Sequence, residues 1–168
     1  VGIYLRFDRT SIKMVQGLHE VGIKVFSIYE LGHPTSPEYF TALAGHHDGT
    51  VAVLTAKTLG QPKNTPIFTA FDYDASAHDM TWGLKDYMAA FRKECLNAGY
   101  LAGCYGSGQI CEYYTQQGLT RYTFLAQSKG WAMYDHWLPK ASIVQGQTTT
   151  VLGFDVDEVE VNDQSVLW

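Results

Sequence analysis

Two carboxylates, Asp72 and Asp74, close the apolar run Pro66-Ile67-Phe68-Thr69-Ala70-Phe71. Side chains alternate along a strand, so both acids are expected on one side, with Phe71 and Tyr73 on the other. Like charges that close disfavour joint ionisation, so one of the two should hold its proton above the usual range. A protonated and an ionised carboxyl side by side can do general acid/base work. The same segment also fits a solvated strand end whose acids cap the next turn. Other apolar segments finish alike: Asp8 after Ile3-Tyr4-Leu5, Glu30 after Ile23 to Tyr29, and Asp155 with Asp157 after Leu152. Asp157 heads an acidic run with Glu158, Glu160 and Asp163 that reads as an exposed edge, so Asp155 is the stronger candidate of that pair.

The elements that must position these acids alternate between strand and helix. Strands are predicted at Ile3 to Asp8, Ile23 to Glu30, Pro66 to Asp74, Leu101 to Tyr105, Tyr122 to Gln127, Ala141 to Gln145 and Leu152 to Val156. Helices are predicted at Ser11 to Val21, about Asp48 to Leu59, about Ala77 to Ala98 and about Gln109 to Gln117. The third is the clearest, with Leu84, Met88, Phe91 and Cys95 in one stripe at the spacing of a buried face. Lys129 to Pro139, rich in Trp131, Tyr134, His136 and Trp137, reads as an aromatic loop.

This rhythm predicts α/β architecture with a parallel sheet. No glycine follows the first strand in Arg6-Phe7-Asp8-Arg9-Thr10, which weighs against a dinucleotide fold. Acids at several strand ends point instead to a (β/α) barrel of the TIM type, whose strand ends converge on one face. A complete barrel takes roughly 200 residues or more. The 168 residues therefore imply one domain over 1–168 with a shortened or irregular second half.

Composition narrows the function classes. Hydrophobic residues make up 46% and the net charge is −5, so the chain has a core and no basic footprint for nucleic acid. No apolar run reaches the roughly 18 residues of a membrane span. The three cysteines, Cys95, Cys104 and Cys111, form no CxxC. His46-His47-Asp48 is a poor ligand set because adjacent residues point apart, and no metal or other cofactor is expected. Ser107 between Gly106 and Gly108 is only a partial echo of a hydrolase elbow. Tyr29, Tyr73, Tyr105 and Trp131 sit near predicted strand ends, where their flat faces either pack in the core or rim or stand open to a ligand. Val1 opens directly into a strand, which reads as a processed product or part of a larger multidomain protein.

Short motifs in order carry a resemblance over nearly the whole chain. They include Gly2-Ile3-Tyr4, Gly22-Ile23-Lys24-Val25 with Tyr29-Glu30, Gly45-His46-His47-Asp48 and Phe71-Asp72-Tyr73-Asp74. Gly103-Cys104-Tyr105-Gly106, Gly130-Trp131, Gln145 and Phe154-Asp155-Val156-Asp157 continue the series. The chain resembles the bacterial glycoside hydrolase-like domain family, itself similar to the family-25 glycoside hydrolases, muramidases on a modified TIM barrel. The resemblance implies a hydrolase of peptidoglycan or a related N-acetylated glycan, secreted or in the cell envelope. It implies Asp74 as general acid where the muramidases carry Glu. Asp72 would orient substrate or stabilise charge, Glu30 would be the reserve acid, and Asp8 and Asp155 would complete an acidic floor. Gln145 matches a late Gln of the muramidases, and Tyr105 and Trp131 are placed by the mouth. The shorter side chain of Asp74 leaves an alternative open, a catalytically inactive barrel that binds cell-wall glycan.

Overall fold

The computed structural model describes residues 1–151 and 154–168, with no description of the side chains of Val151, Phe154 and Asp155. Seven strands form one sheet in sequential order: β1 (Gly2–Tyr4), β2 (Phe26–Tyr29), β3 (Pro66–Ala70), β4 (Leu101–Gly106), β5 (Tyr122–Leu125), β6 (Ile143–Val151) and β7 (Phe154–Val161). The first six run parallel and β7 is antiparallel to β6. The helices are α1 (Ile12–Glu20), α2 (Ala42–Leu59), α3 (Ala77–Asp79), α4 (Lys85–Asn97), α5 (Gly108–Gln116) and α6 (Tyr134–Trp137).

The α/β class and the parallel run are as expected, but the sheet is a curled half-barrel rather than a closed TIM barrel. The reason lies in the connections. A parallel crossover needs a dozen or more residues, normally with a helix. The 17-residue link from β5 to β6, 126–142, meets that length with only the four-residue α6 and a 3-10 turn at Leu138–Lys140, whereas two residues separate β6 from β7, which returns antiparallel. The predicted strand Leu152 to Val156 is therefore the return arm of a hairpin, extending to Val161, while Leu152 and Gly153 lie outside the described residues.

Two cores result. The outer one lies between sheet and helices and holds the α4 stripe of Leu84, Met88, Phe91 and Cys95, all fully buried. The inner one fills the lower half of the barrel with Phe26, Phe68, Tyr122, Phe124, Ile143 and Val166. The rings of Phe26, Phe68 and Phe124 meet edge to face with centroids 5.5–6.3 Å apart. A Cβ on Gly103 would lie 2.5 Å from the Phe68 ring, so β4 passes at a distance only glycine allows.

The second helix begins at Ala42, six residues earlier than predicted, and Thr41 caps it by accepting from the Ala44 N–H at 3.1 Å. Its early turns carry Gly45, ahead of the predicted start, and Gly49, inside the predicted helix. They serve close approach: a Cβ on Gly45 would lie 2.2 Å from the Tyr87 carbonyl oxygen on α4. Asp48, 3% exposed, points into the gap beside them. It accepts from Tyr29 Oη at 3.1 Å, Tyr39 Oη at 2.6 Å and Tyr87 Oη at 2.8 Å. The predicted helix from Ala77 is broken by a π turn at Met80–Leu84, where Gly83 abuts the Phe40 carbonyl.

Gly45→Ala is expected to cost ~2–3 kcal/mol through overpacking and to lower Tm by roughly 4–12 °C. Thermal unfolding followed by circular dichroism checks this. An unchanged Tm would mean that α2 and α4 do not meet as closely as described.

Candidate functional site

Against the inner aromatic layer, which gives Phe26 and Phe124 to its wall, the half-barrel leaves a cavity of about 730 Å³ that runs from Val1 and Gly2 at the start of β1 to Glu30 and Asp72 just beyond the C-terminal ends of β2 and β3. All seven strands or the residues just beyond them contribute to its wall. The strand period explains which side chains enter. On β2, Ser27 and Tyr29 face the helices while Phe26, Ile28 and then Glu30 face the cavity. On β3, Ile67 and Phe71 pack outward, and the alternate position, Asp72, turns in. Tyr4, Tyr105, Gln145 and Asp157 enter from β1, β4, β6 and β7, and Arg9 and Gln127 close the rim.

Three carboxyls therefore share the cavity: Glu30, Asp72 and Asp157. Burial pushes the Glu30 carboxyl above the usual range, and the Asp72 charge pushes further, against a smaller pull from Arg6 and Arg9. Burial also raises Asp72. Burial, with the charges of Asp72 and Glu30, raises the Tyr105 hydroxyl.

The β4–β7 side is a bonded chain. Tyr105 Oη donates to Gln145 Oε1 at 2.9 Å, which also accepts from the Gln127 N–H at 3.2 Å. Gln145 Nε2 donates to Asp157 at 2.7 Å. Thr148 Oγ1 donates to the other Asp157 oxygen at 2.6 Å and accepts from Gln127 Nε2 at 3.1 Å. Asp157 is thereby fixed at both oxygens before any ligand arrives.

Of the residues singled out in the sequence, Glu30, Asp72, Gln145 and Tyr105 meet here. Asp74 does not. The third strand stops at Ala70, Asp72 donates its N–H to Pro34 O, and Ala75 turns back to Tyr73 O. The alternation that pairs Asp72 with Asp74 lapses at that turn. Asp74 is exposed and accepts from the Ala132 N–H at 2.9 Å, pinning the loop after β5. Asp8 also lies outside the lining, held by Arg6 at 2.8 and 3.1 Å, a hydrogen bond that lowers its pKa. Tyr73 packs on Phe40 in the outer core, with centroids 6.0 Å apart. Trp131, half-buried in the turn after β5, is not among the lining residues. The Asp155 side chain lies outside the described residues; its backbone pairs with Thr150.

Sequence reading missed Tyr4, Arg9, Gln127 and Thr148, and ranked Asp157 below Asp155. A signal exists for Asp157: it alternates with Val159 and Val161, and both valines face inward. Among the described residues, no group of three or more His, Cys, Asp and Glu side chains is arranged to hold a metal ion. His46 faces Glu94 and His47 faces Asp48, at 3.0 and 3.1 Å. No helix among the described residues is long and apolar enough to cross a membrane.

A half-barrel with an acid-lined cavity at its strand ends defines a glycoside hydrolase-like domain. The chain belongs to the family described as Rv2525c-like, glycoside hydrolase-like domain, which it matches over residues 1–166. It is similar to two uncharacterized proteins of Bacillus subtilis (strain 168). YbfG is 33% identical over 132 residues, covering 70% of this chain and 18% of YbfG. FadG is 30% identical over 112 residues, covering 62% of this chain and 19% of FadG. The matched part is thus under a fifth of either relative. Among solved structures, the Mycobacterium tuberculosis Tat-secreted protein Rv2525c in complex with L-tartrate superposes with a TM-score of 0.80. The identity is 18%, over 95% of this chain and 83% of that one. An uncharacterized Bacillus stearothermophilus protein gives a TM-score of 0.69 at 18% identity, over 99% of this chain and 86% of that one. At these identities the structural likeness speaks for the fold.

Raised carboxyls have a consequence for stability. A folded-state pKa above the unfolded value means that the folded state binds more protons in the interval between the two. Stability then falls as pH rises through that interval. Glu30→Gln and Asp72→Asn are therefore expected to melt above wild type at about pH 7, with the advantage shrinking towards about pH 3.5, below the ordinary carboxylate range. Melting curves at both pH values check this, and a variant destabilised at neutral pH would refute the burial cost.

Proposed function

We propose that the domain is a glycoside hydrolase acting on peptidoglycan or a related N-acetylated glycan. The observation that carries this reading is the convergence of Glu30, Asp72 and Asp157 in one cavity, with the first two held above their usual pKa. Glu30 is the proton donor: it is half-buried, shares the cavity with Asp72, and burial and the Asp72 charge hold its pKa above that of an ordinary Glu. Asp157, held at both oxygens, is the fixed carboxylate beside the developing positive charge. Asp72 orients the sugar between them. Tyr4 and Tyr105 supply ring faces for its apolar C–H groups. Family membership supports glycan chemistry. The Tat-secreted status of Rv2525c supports export, which would bring the domain to a cell wall.

One observation favours a second reading, a glycan-binding module that does not cleave. At the position where the muramidases carry their catalytic Glu, this chain has Asp74, and its carboxylate is engaged by a backbone N–H outside the cavity.

Reducing-sugar release from purified peptidoglycan separates the two. The hydrolase reading expects release by wild type and a loss of roughly 10²-fold or more in Glu30→Gln, the usual worth of a general acid. Asp74→Asn should stay within about threefold of wild type, since it holds a loop rather than a substrate. No release, with the protein still pelleting with cell walls, would support the binding module. Neither release nor pelleting would overturn both.

A further inference from the structure

Arg9 is the only basic side chain among the cavity-lining residues, and the mechanism above gives it no task. Among the described residues its guanidinium makes no hydrogen bond or ion pair. The nearest acid in sequence, Asp8, is already taken by Arg6 through both oxygens. The turn that carries Arg9 is fixed: the N–H groups of Arg9 and Thr10 both donate to Arg6 O, at 3.0 and 2.8 Å. The very next residue, Ser11, caps α1. Arg9 is thus presented from a rooted turn on a rim that otherwise offers acids, hydroxyls and amides.

An unpaired arginine in an acidic cavity can serve as a general counter-charge or as a hook for an anion on the ligand. Its planar fork matches a carboxylate through two parallel hydrogen bonds. A dianion such as phosphate would meet the three carboxyls with about twice the repulsion of a single negative charge.

We propose that Arg9 recognises a carboxylate carried by the sugar bound in this cavity, so that the site selects acidic over neutral glycans. This rests on the glycan reading above. The carboxylate has two chemical sources, the C6 acid of a uronic sugar or an acidic ether substituent such as the lactyl group of N-acetylmuramic acid.

Titration calorimetry on the whole domain distinguishes them. One arm compares trigalacturonate with its methyl ester, and the other compares N-acetylmuramic acid with N-acetylglucosamine. Each is measured with wild type, Arg9→Gln and Arg9→Lys. Wild type is expected to prefer the acid about tenfold or more in at least one arm, the worth of one charge-assisted pair. Arg9→Gln should bring that preference to within about twofold, and Arg9→Lys, which keeps the charge and loses the fork, should fall between. The arm showing the preference names the source. Equal binding of acid and neutral partner in both arms, or a preference that survives in Arg9→Gln, overturns the assignment and leaves the glycan reading standing. Absence of all binding overturns the assignment too, and wall pelleting then decides the glycan reading on its own.

Discussion

Asp48 is a carboxylate in the outer core, and three tyrosine hydroxyls converge on it. A buried carboxylate costs several kcal/mol unless its lone pairs are met. Here the partners come from separate elements: Tyr29 from β2, Tyr39 from the segment before α2, and Tyr87 from α4. Tyr87 also meets Thr69 of β3 at 2.9 Å. Tyr29 immediately precedes Glu30, and Thr69 stands three residues before Asp72. One carboxylate outside the sheet therefore anchors the two strands that carry carboxyls inside it. With Tyr29 held outward, strand alternation turns Glu30 inward. The Gly45 and Gly49 approach of α2 to α4 keeps this junction compact.

The cavity divides into two kinds of wall. On the β4–β7 side Tyr105, Gln145, Gln127, Thr148 and Asp157 are joined by hydrogen bonds to one another. Such networks keep their geometry without a ligand. On the β1–β3 side, Glu30 and Asp72 are desolvated without side-chain partners of that kind, and their protonation is what burial changes. The hydrogen-bonded carboxylate and the two raised carboxyls thus lie on opposite walls. Unpaired, desolvated acids reduce stability at neutral pH, a cost commonly met at functional sites.

Much of this was legible in the sequence. Strand alternation put Glu30 and Asp72 on the cavity face, and the helical stripe of α4 reached the core intact. The failures share a cause: each lies where a local rule was overridden by tertiary contact. The predicted start of α2 at Asp48 leaves out the turn with Gly45, which is where two helices touch. Asp74 has the right parity for the cavity, but the strand ends before parity can act. Trp131 and Tyr73 sit at strand ends in sequence and outside the cavity lining in space. Asp157 was hidden in an acidic run because the hairpin that turns alternate residues inward is antiparallel, which nothing in the preceding βα rhythm foretells. Asp8 could pair with Arg6 or Arg9 on sequence alone, and the geometry gives it to Arg6.

Val166 belongs to the inner aromatic layer with Phe26, Phe68 and Phe124, and Trp168 exchanges backbone hydrogen bonds with Val25 at 2.7 and 2.8 Å. The interior of the half-barrel is thus stoppered from below by a segment nearly a full sequence length away from β2. During synthesis, the outer helices can pack on β1 to β5 while the inner phenylalanines wait, still wet, for residues 164–168 to clear the ribosome. Contacts so distant in sequence are slow to close. The face that holds the acids is therefore the last to become dry, and chaperones would meet this chain through its future cavity floor rather than its helical exterior.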